Sequence, residues 1–209
     1  MTLRSGDVVG LIGRTGSGKS TSILALLRLV PITQGRIFIG GVDTRTVSRA
    51  DVRRAVAVIP QQPVLFNGSI RFNLDPMGEH TDTQLRSVLS KCHLPPGGSF
   101  ALDARVSEDG ANLSAGERQL LCVARALLRR CRVVCVDEAT SAADPATERL
   151  VTELVATAFA GSTVIIVAHR LATLHYCTRV VELRSGTIVN EGPASYMIAA
   201  AKEAAGWEE

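Results

Sequence analysis

The stretch Gly13-Arg14-Thr15-Gly16-Ser17-Gly18-Lys19-Ser20-Thr21 decides how the chain is read. Gly13, Gly18, Lys19 and Ser20 stand at the fixed positions of a glycine-rich phosphate loop: Gly, four residues, Gly, Lys, Ser. The context fits. Asp7 to Ile12 reads as a short buried strand leading into the loop. Behind it, Ile23, Leu26, Leu27 and Val30 share one face of a helix that Pro31 stops. Glycines let the backbone curl until several N–H groups point at one anion, and the helix start adds its positive partial charge. In such a cradle Lys19 holds the β- and γ-phosphates and the Ser20 hydroxyl is a ligand for Mg²⁺.

Outward from the loop, 209 residues suffice for one sizeable domain with a small subdomain. A hydrophobic content of 46% with 21% charged residues is that of an ordinary folded protein. The net charge of +3 is mild, and the arginines are dispersed apart from Arg53–Arg54 and Arg129–Arg130. That distribution argues against a nucleic-acid surface. Cys92, Cys122, Cys131, Cys135 and Cys177 form no Cys-x-x-Cys and are odd in number, which favours free thiols over disulfides or a zinc site. No apolar run reaches the roughly 18–20 residues that span a bilayer. The first residues have no secretory h-region.

Further strands are expected at Gly35–Ile39, followed by a Gly40-Gly41 turn, and at Ala55–Ile59. From about Gln61 to Leu113 the chain is richer in polar and turn residues, and Thr83–Cys92 forms a helix with Leu85, Val88 and Leu89 on one face. This region is expected to be an inserted, mostly helical subdomain. Then Ala115–Arg130 reads as a helix, Val133–Val136 as a strand ending in Asp137-Glu138, Pro145–Ala160 as a helix, and Thr163–Val167 as a strand leading to His169. Continuous apolar strands alternating with helices predict a parallel sheet covered on both faces. Arg179–Asn190 reads as a closing hairpin turning at Ser185-Gly186, and the tail from Ser195 as a weak helix. Ligands of such sheets sit at the carboxyl ends of the strands, where Asp137, Glu138 and His169 fall. Asp137 suits Mg²⁺, and Glu138 could polarise a water aimed at a γ-phosphate. Ser114 with Glu117 three residues on is a capping box, and Gly116 in the same first turn makes the helix start a possible anion site.

In order, these motifs resemble the nucleotide-binding domain of an ATP-binding cassette (ABC) transporter. Gly13–Thr21 is similar to the Walker A loop, Gln61 to the Q-loop glutamine and Leu113-Ser-Ala-Gly-Glu117 to the family signature. Val133–Glu138 is similar to Walker B with its catalytic glutamate, Ser141–Asp144 to the D-loop and His169 to the switch histidine. Val64–Pro76 and Arg118–Leu127 look most like the second cassette of the multidrug-resistance-associated (C) subfamily. The resemblance implies a P-loop NTPase fold over residues 1–209, α/β with a mostly parallel sheet flanked by helices and a helical subdomain at about 62–130. It implies ATP and Mg²⁺ as ligands. Residues 13–21 would bind the nucleotide, Ser20, Gln61 and Asp137 the metal, and Glu138, His169 and Gln61 would carry catalysis. Ser114 and Gly116 would serve the nucleotide of a second cassette paired head to tail. Membrane domains would hold the chain at the cytoplasmic face of a membrane, and hydrolysis would drive export. Two alternatives are a truncated or regulatory cassette that binds ATP or a partner without turnover, and a soluble cassette acting on DNA or ribosomes. The last is disfavoured by the short connection from Gln61 to Ser114 and the missing basic stripe.

The family's earlier strands, one carrying an aromatic that stacks on adenine, have no counterpart before Gly13, so those antiparallel strands are expected to be truncated. The strand at Gly35–Ile39 is expected to lose sheet partners and leave an open edge. Weak nucleotide binding by this chain alone follows. Titration with ATP and Mg²⁺ checks it: affinity weaker than micromolar is expected, and micromolar binding overturns it.

Overall fold

The computed structural model describes residues 1–137, 145–168 and 171–203. In chain order its elements are β1 (Val8–Ile12), α1 (Lys19–Leu26), β2 (Phe38–Ile39), β3 (Val42–Asp43), α2 (Arg49–Ala55), β4 (Val56–Ile59), β5 (Gly68–Ser69), α3 (Ile70–Leu74), α4 (Asp82–Lys91), β6 (Arg105–Val106), α5 (Ala115–Leu128), β7 (Val133–Asp137), α6 (Pro145–Ala158), β8 (Thr163–Val167), α7 (Leu171–Leu174), β9 (Arg179–Arg184), β10 (Thr187–Pro193) and α8 (Ala194–Glu203). The chain divides into two compact units. One comprises Met1–Val58, Cys131–Glu138 and Phe159–Glu209; the other comprises Ile59–Arg130 and Ala139–Ala158.

The first unit is built on a six-stranded sheet of order β10-β9-β1-β8-β7-β4. β1 pairs in parallel with both β8 and β9, β7 pairs in parallel with β8, and β10 closes the edge antiparallel to β9. The sheet is mostly parallel, as the apolar strand runs predict. Every residue of β1 is buried. Val9 and Leu11 join Ile23, Val56, Cys135, Ile165, Val167 and Val181 in one apolar cluster, with Leu26 and Leu27 packed against it. Gly10 faces the other way, where a Cβ would lie 2.5 Å from Leu174 and 3.2 Å from Cys177. Alternation along β1 thus gives one face to α1 and the other to α7.

α1 is shorter than its apolar face suggests, ending at Leu26 and not near Val30. Arg28 takes the left-handed conformation (φ 54°), its N–H donates to the Ala25 carbonyl, and the Leu29 N–H reaches the Leu24 carbonyl at 2.9 Å. This is a Schellman ending with arginine where glycine is usual. The Arg28 guanidinium donates to the carbonyls of Thr44 (2.9 Å) and Val47 (2.7 Å). Those charge-assisted bonds, typically about 1.5–3 kcal/mol each, offset the roughly 1–2 kcal/mol cost of the backbone conformation.

The expected strand over Gly35–Ile39 is confined to Phe38–Ile39, because Gly35 is left-handed (φ 79°). It does find a partner. β2 pairs with β3 across the Gly40-Gly41 turn, whose φ values of 57° and 81° suit a primed hairpin turn. Helix α2 has no counterpart in the sequence expectations; Ser48 caps it by accepting the Asp51 N–H at 3.1 Å. At the other end of the chain, the Ser185-Gly186 turn (φ 50° and 80°) joins β9 to β10 as expected.

All five cysteines are free and buried. Burial pushes the thiols of Cys92, Cys135 and Cys177 up to about 12, so they are core filler and not nucleophiles.

In the second unit, Thr81 and Gln84 form a capping box on α4, and Leu85, Val88 and Leu89 are buried. Asp75, just after α3, is 8% exposed. Its carboxylate accepts the N–H groups of Glu79 (3.1 Å) and His80 (2.7 Å). Burial pushes its pKa up, but the His80 and Glu79 amides and the neighbouring His80 side chain outweigh that and hold it below the usual carboxylate range. A folded-state pKa below the unfolded one stabilises the fold above the unfolded value and loses that contribution as pH falls through the folded one. Asp75→Asn is therefore expected to cost about 1–3 kcal/mol near neutrality. The gap to wild type should close below about pH 4, as followed by urea unfolding across pH.

Candidate functional site

In the first unit, residues 13–18 leave the carboxyl end of β1 and turn into α1. Three glycines take positive φ: Gly13 at 145°, Gly16 at 80° and Gly18 at 105°. At Gly13 a Cβ would lie 2.3 Å from the Leu183 carbonyl oxygen and 2.6 Å from the Ser17 hydroxyl, so only glycine fits. Around Gly16 a Cβ would meet nothing within 4 Å, which leaves the loop's crown open to an approaching group. The loop closes on itself through the Ser17 N–H, which donates to the Arg14 carbonyl at 3.0 Å.

Lys19 is 6% exposed although charged. Its ammonium donates to the carbonyls of Gly13 (2.6 Å) and Arg14 (3.3 Å). In a planar trans peptide the C=O and the next N–H point in opposite directions. Drawing the Gly13 and Arg14 carbonyls toward Lys19 therefore turns the Arg14 and Thr15 N–H groups away from it. Gly18 caps α1 without any side-chain hydrogen bond, and no acidic residue lies in the first turn. That leaves the N-terminal amides and the positive dipole end for an anion. Arg14, Thr15, Gly16, Ser20 and Thr21 are exposed around this end, whereas Ser17 is buried.

Asp137 ends β7 and pairs laterally with Val167 of β8, which in turn pairs with Leu11 of β1. At the usual strand spacing its backbone lies about 10 Å from Leu11, on the rim from which the loop emerges. The Ser20 hydroxyl and the Asp137 carboxylate are both hard oxygen donors, as Mg²⁺ requires. Among the described residues no group of three or more His, Cys, Asp or Glu side chains gathers to hold a metal. Glu138, His169 and residues 141–144 lie outside the described residues.

The remaining expected positions lie in the second unit. Gln61 is exposed, just after Pro60, whose carbonyl accepts a bond from the buried Gln119 amide at 3.2 Å. The capping box of α5 forms in full: the Glu117 N–H donates to the Ser114 hydroxyl at 3.2 Å, and the Ser114 N–H donates to the Glu117 carboxylate at 2.8 Å. Arg118 donates to the Leu113 carbonyl at 2.6 Å, fixing the approach to the helix. Gly116 has a packing role that its sequence context conceals. It is buried, and a Cβ there would lie 2.6 Å from Cγ2 and 2.9 Å from Oγ1 of Thr147 on α6.

Two features of the candidate site went unread in the sequence. One is this Gly116–Thr147 contact. The other is the approach of Leu183 and Gly186 to the phosphate loop; Ser185-Gly186 is legible as a turn, but nothing local in sequence relates it to residues 13–18.

The ABC transporter family model matches residues 1–141. The chain is 46% identical over 189 residues to ATP-binding cassette sub-family C member 10 of Mus musculus, covering 88% of this chain and 12% of that protein. It is 41% identical over 201 residues to ATP-binding cassette sub-family C member 3 of Rattus norvegicus, covering 95% and 13%. To ABC transporter C family member 7 of Arabidopsis thaliana it is 42% identical over 190 residues, covering 90% and 13%. The chain thus spans 12–13% of the length of these relatives. Among solved structures it is similar to a bacterial Atm1-family ABC exporter with ATP bound, with a TM-score of 0.86 and 28% identity over 99% of this chain and 38% of the other.

The Gly116 contact makes a test. Gly116→Ala is expected to cost about 1–3 kcal/mol by overpacking, read as a fall in melting temperature. Adding Thr147→Ala, which removes both crowding atoms, should recover part of the loss.

Proposed function

Because the chain belongs to the ABC transporter family, we propose that it is the nucleotide-binding domain of a C-type exporter, binding and hydrolysing ATP to power transport across a membrane. The observation that carries this reading is the loop between β1 and α1: glycines at positive φ, a buried Lys19 drawn onto two loop carbonyls, and a helix start without a side-chain cap. The likeness to sub-family C members supports the transporter class.

In this reading residues 1–209 act as one cassette, with a helical subdomain at about 62–130. The amides of residues 13–18 and the α1 dipole neutralise the triphosphate, and Lys19 exchanges its loop carbonyls for β- and γ-phosphate oxygens. Ser20, Asp137 and Gln61 would hold Mg²⁺, which when bound neutralises charge on the β- and γ-phosphates. Glu138 takes a proton from the water whose oxygen bonds to the γ-phosphorus as the bond to the bridging oxygen breaks and ADP departs. His169 is assigned to the γ-phosphate side of the same reaction.

Ser114 and Gly116 serve the nucleotide of a second cassette paired head to tail, and ATP in both sites holds the pair closed until hydrolysis releases it. The region of Gln61 carries exposed Val64, Phe66, Phe72 and Met77, apolar side chains suited to the membrane domains that would hold the chain at the cytoplasmic side. Among the described residues no helix is long and apolar enough to cross a membrane; in this reading other domains supply the pathway.

ATP hydrolysis measured at millimolar ATP tests the proposal. Glu138→Gln is expected to lower the rate by about 10²–10⁴ with ATP still bound, whereas Lys19→Ala should abolish binding. Equal near-zero rates for wild type and Glu138→Gln, with ATP bound to both, would establish a binding module without turnover.

A further inference from the structure

The phosphate loop is gripped from a distant part of the chain. Leu183 and Gly186, at the end of β9 and in the turn to β10, touch it at three points. The Gly186 N–H donates to the Ser17 carbonyl at 2.9 Å. Gly13 lies so close against the Leu183 carbonyl that a Cβ would come within 2.3 Å, and at Gly18 a Cβ would lie 3.5 Å from the Gly186 Cα. Bare backbone on both sides permits this approach.

The loop's own side chains do not provide that hold. The Ser17 hydroxyl is buried with no hydrogen-bond partner among the described residues. A buried, unsatisfied hydroxyl opposes the arrangement that contains it. Backbone bonds keep residue 17 in place: its N–H donates to the Arg14 carbonyl, and its carbonyl accepts the Gly186 N–H.

The consequence follows from peptide geometry. The Ser17 carbonyl and the Gly18 N–H belong to one planar trans unit and point in opposite directions. With the carbonyl tied to the hairpin, the Gly18 N–H is turned away from the hairpin, toward the side on which the α1 N-terminus opens. If the Ser17–Gly18 peptide flipped, that donor would be replaced by a carbonyl oxygen, which repels phosphate. Lys19 orients the Gly13 and Arg14 peptides at the start of the loop, and the Arg14 carbonyl in turn accepts the Ser17 N–H, which belongs to the Gly16–Ser17 peptide and not to the Ser17–Gly18 peptide.

We infer that Gly186 is a positioning residue for nucleotide binding: its N–H fixes the Ser17–Gly18 peptide in the orientation that accepts a triphosphate. The inference rests on the nucleotide-binding reading of residues 13–21. Its turn conformation is part of the device, because Ser185 and Gly186 are both left-handed and together aim that N–H at the loop.

The test replaces the Gly186 N–H with an ester oxygen, in a chain assembled by ligation at Cys177, and compares it with wild type and Gly186→Asn. Asparagine tolerates the left-handed conformation and keeps the N–H; at this position a Cβ meets nothing within 4 Å. The ester chain is expected to show about tenfold weaker ATP binding and about tenfold faster amide hydrogen exchange confined to residues 13–20. Gly186→Asn should stay within about twofold of wild type in both. Unchanged exchange and affinity in the ester chain overturn the inference, as does faster exchange spread through the whole first unit with a lowered melting temperature. If the wild type itself binds no ATP, the nucleotide reading falls, while exchange at residues 13–20 still decides whether Gly186 orders the loop.

Discussion

Parallel pairing of β1 with β8 on one side and β9 on the other is the constraint on which the first unit depends. A strand hydrogen-bonded on both edges and buried on both faces cannot slide without exposing its apolar residues and breaking two ladders. Its end point is therefore rigid, and Gly13 begins where the ladders stop. β8 and β7, in register beside it, bring Asp137 to the same rim, and β9 brings Leu183 alongside the loop. A flexible loop thus acquires a defined position because its neighbours in space are strand ends.

The second unit achieves order by other means. Its short strands contribute little, and much of its framework is side chain bonded to backbone. Arg125 donates to the carbonyl of Asn73 and, at 2.7 Å, to that of Val64, while lying 5.7 Å from the ring centre of Phe66. Asn73 bridges both main-chain polar groups of Phe66, with its Oδ1 accepting the N–H at 2.9 Å and its amide donating to the carbonyl at 2.8 Å. Such bonds satisfy irregular backbone that has no ladder to join. They also hold Phe66 and Phe72 edge to face at the surface, 6.1 Å apart, though both rings are largely exposed.

Much of this was legible in the residues. The strand–loop–helix at the start, the apolar strands at Val133 and Thr163, the hairpin at Ser185-Gly186 and the capping box at Ser114 all rest on local patterns whose physical cause lies within a few residues. The failures have two origins: a partner remote in sequence, or a local apolar pattern too slight to read. α1 stops early because Arg28 finds carbonyls at Thr44 and Val47, a tertiary compensation that makes an arginine behave like a C-terminal glycine. Helix α2 went unread because its apolar content is slight: Val52 is its one buried residue, and the capping Ser48-x-x-Asp51 was the available signal. Gly116 read as an anion position, while its neighbour Thr147 is remote in sequence. Of the candidate site, the loop and Asp137 could be placed from sequence, because strand order brings strand ends together. The grip of Gly186 on Ser17 could not, because it joins two turns separated by most of the chain.

The thiols distribute themselves in a way that has an experimental use. Cys131, Cys135 and Cys177 lie in the first unit, and Cys92 and Cys122 in the second. While folded, each is shielded from solvent, and burial also favours the protonated, slowly alkylated form of Cys92, Cys122, Cys135 and Cys177. Each therefore becomes reactive only when its own surroundings open. Residue-resolved alkylation kinetics would make these five sulfurs an internal clock for local opening, timing the breathing of the sheet separately from that of the helical layer without any engineered probe.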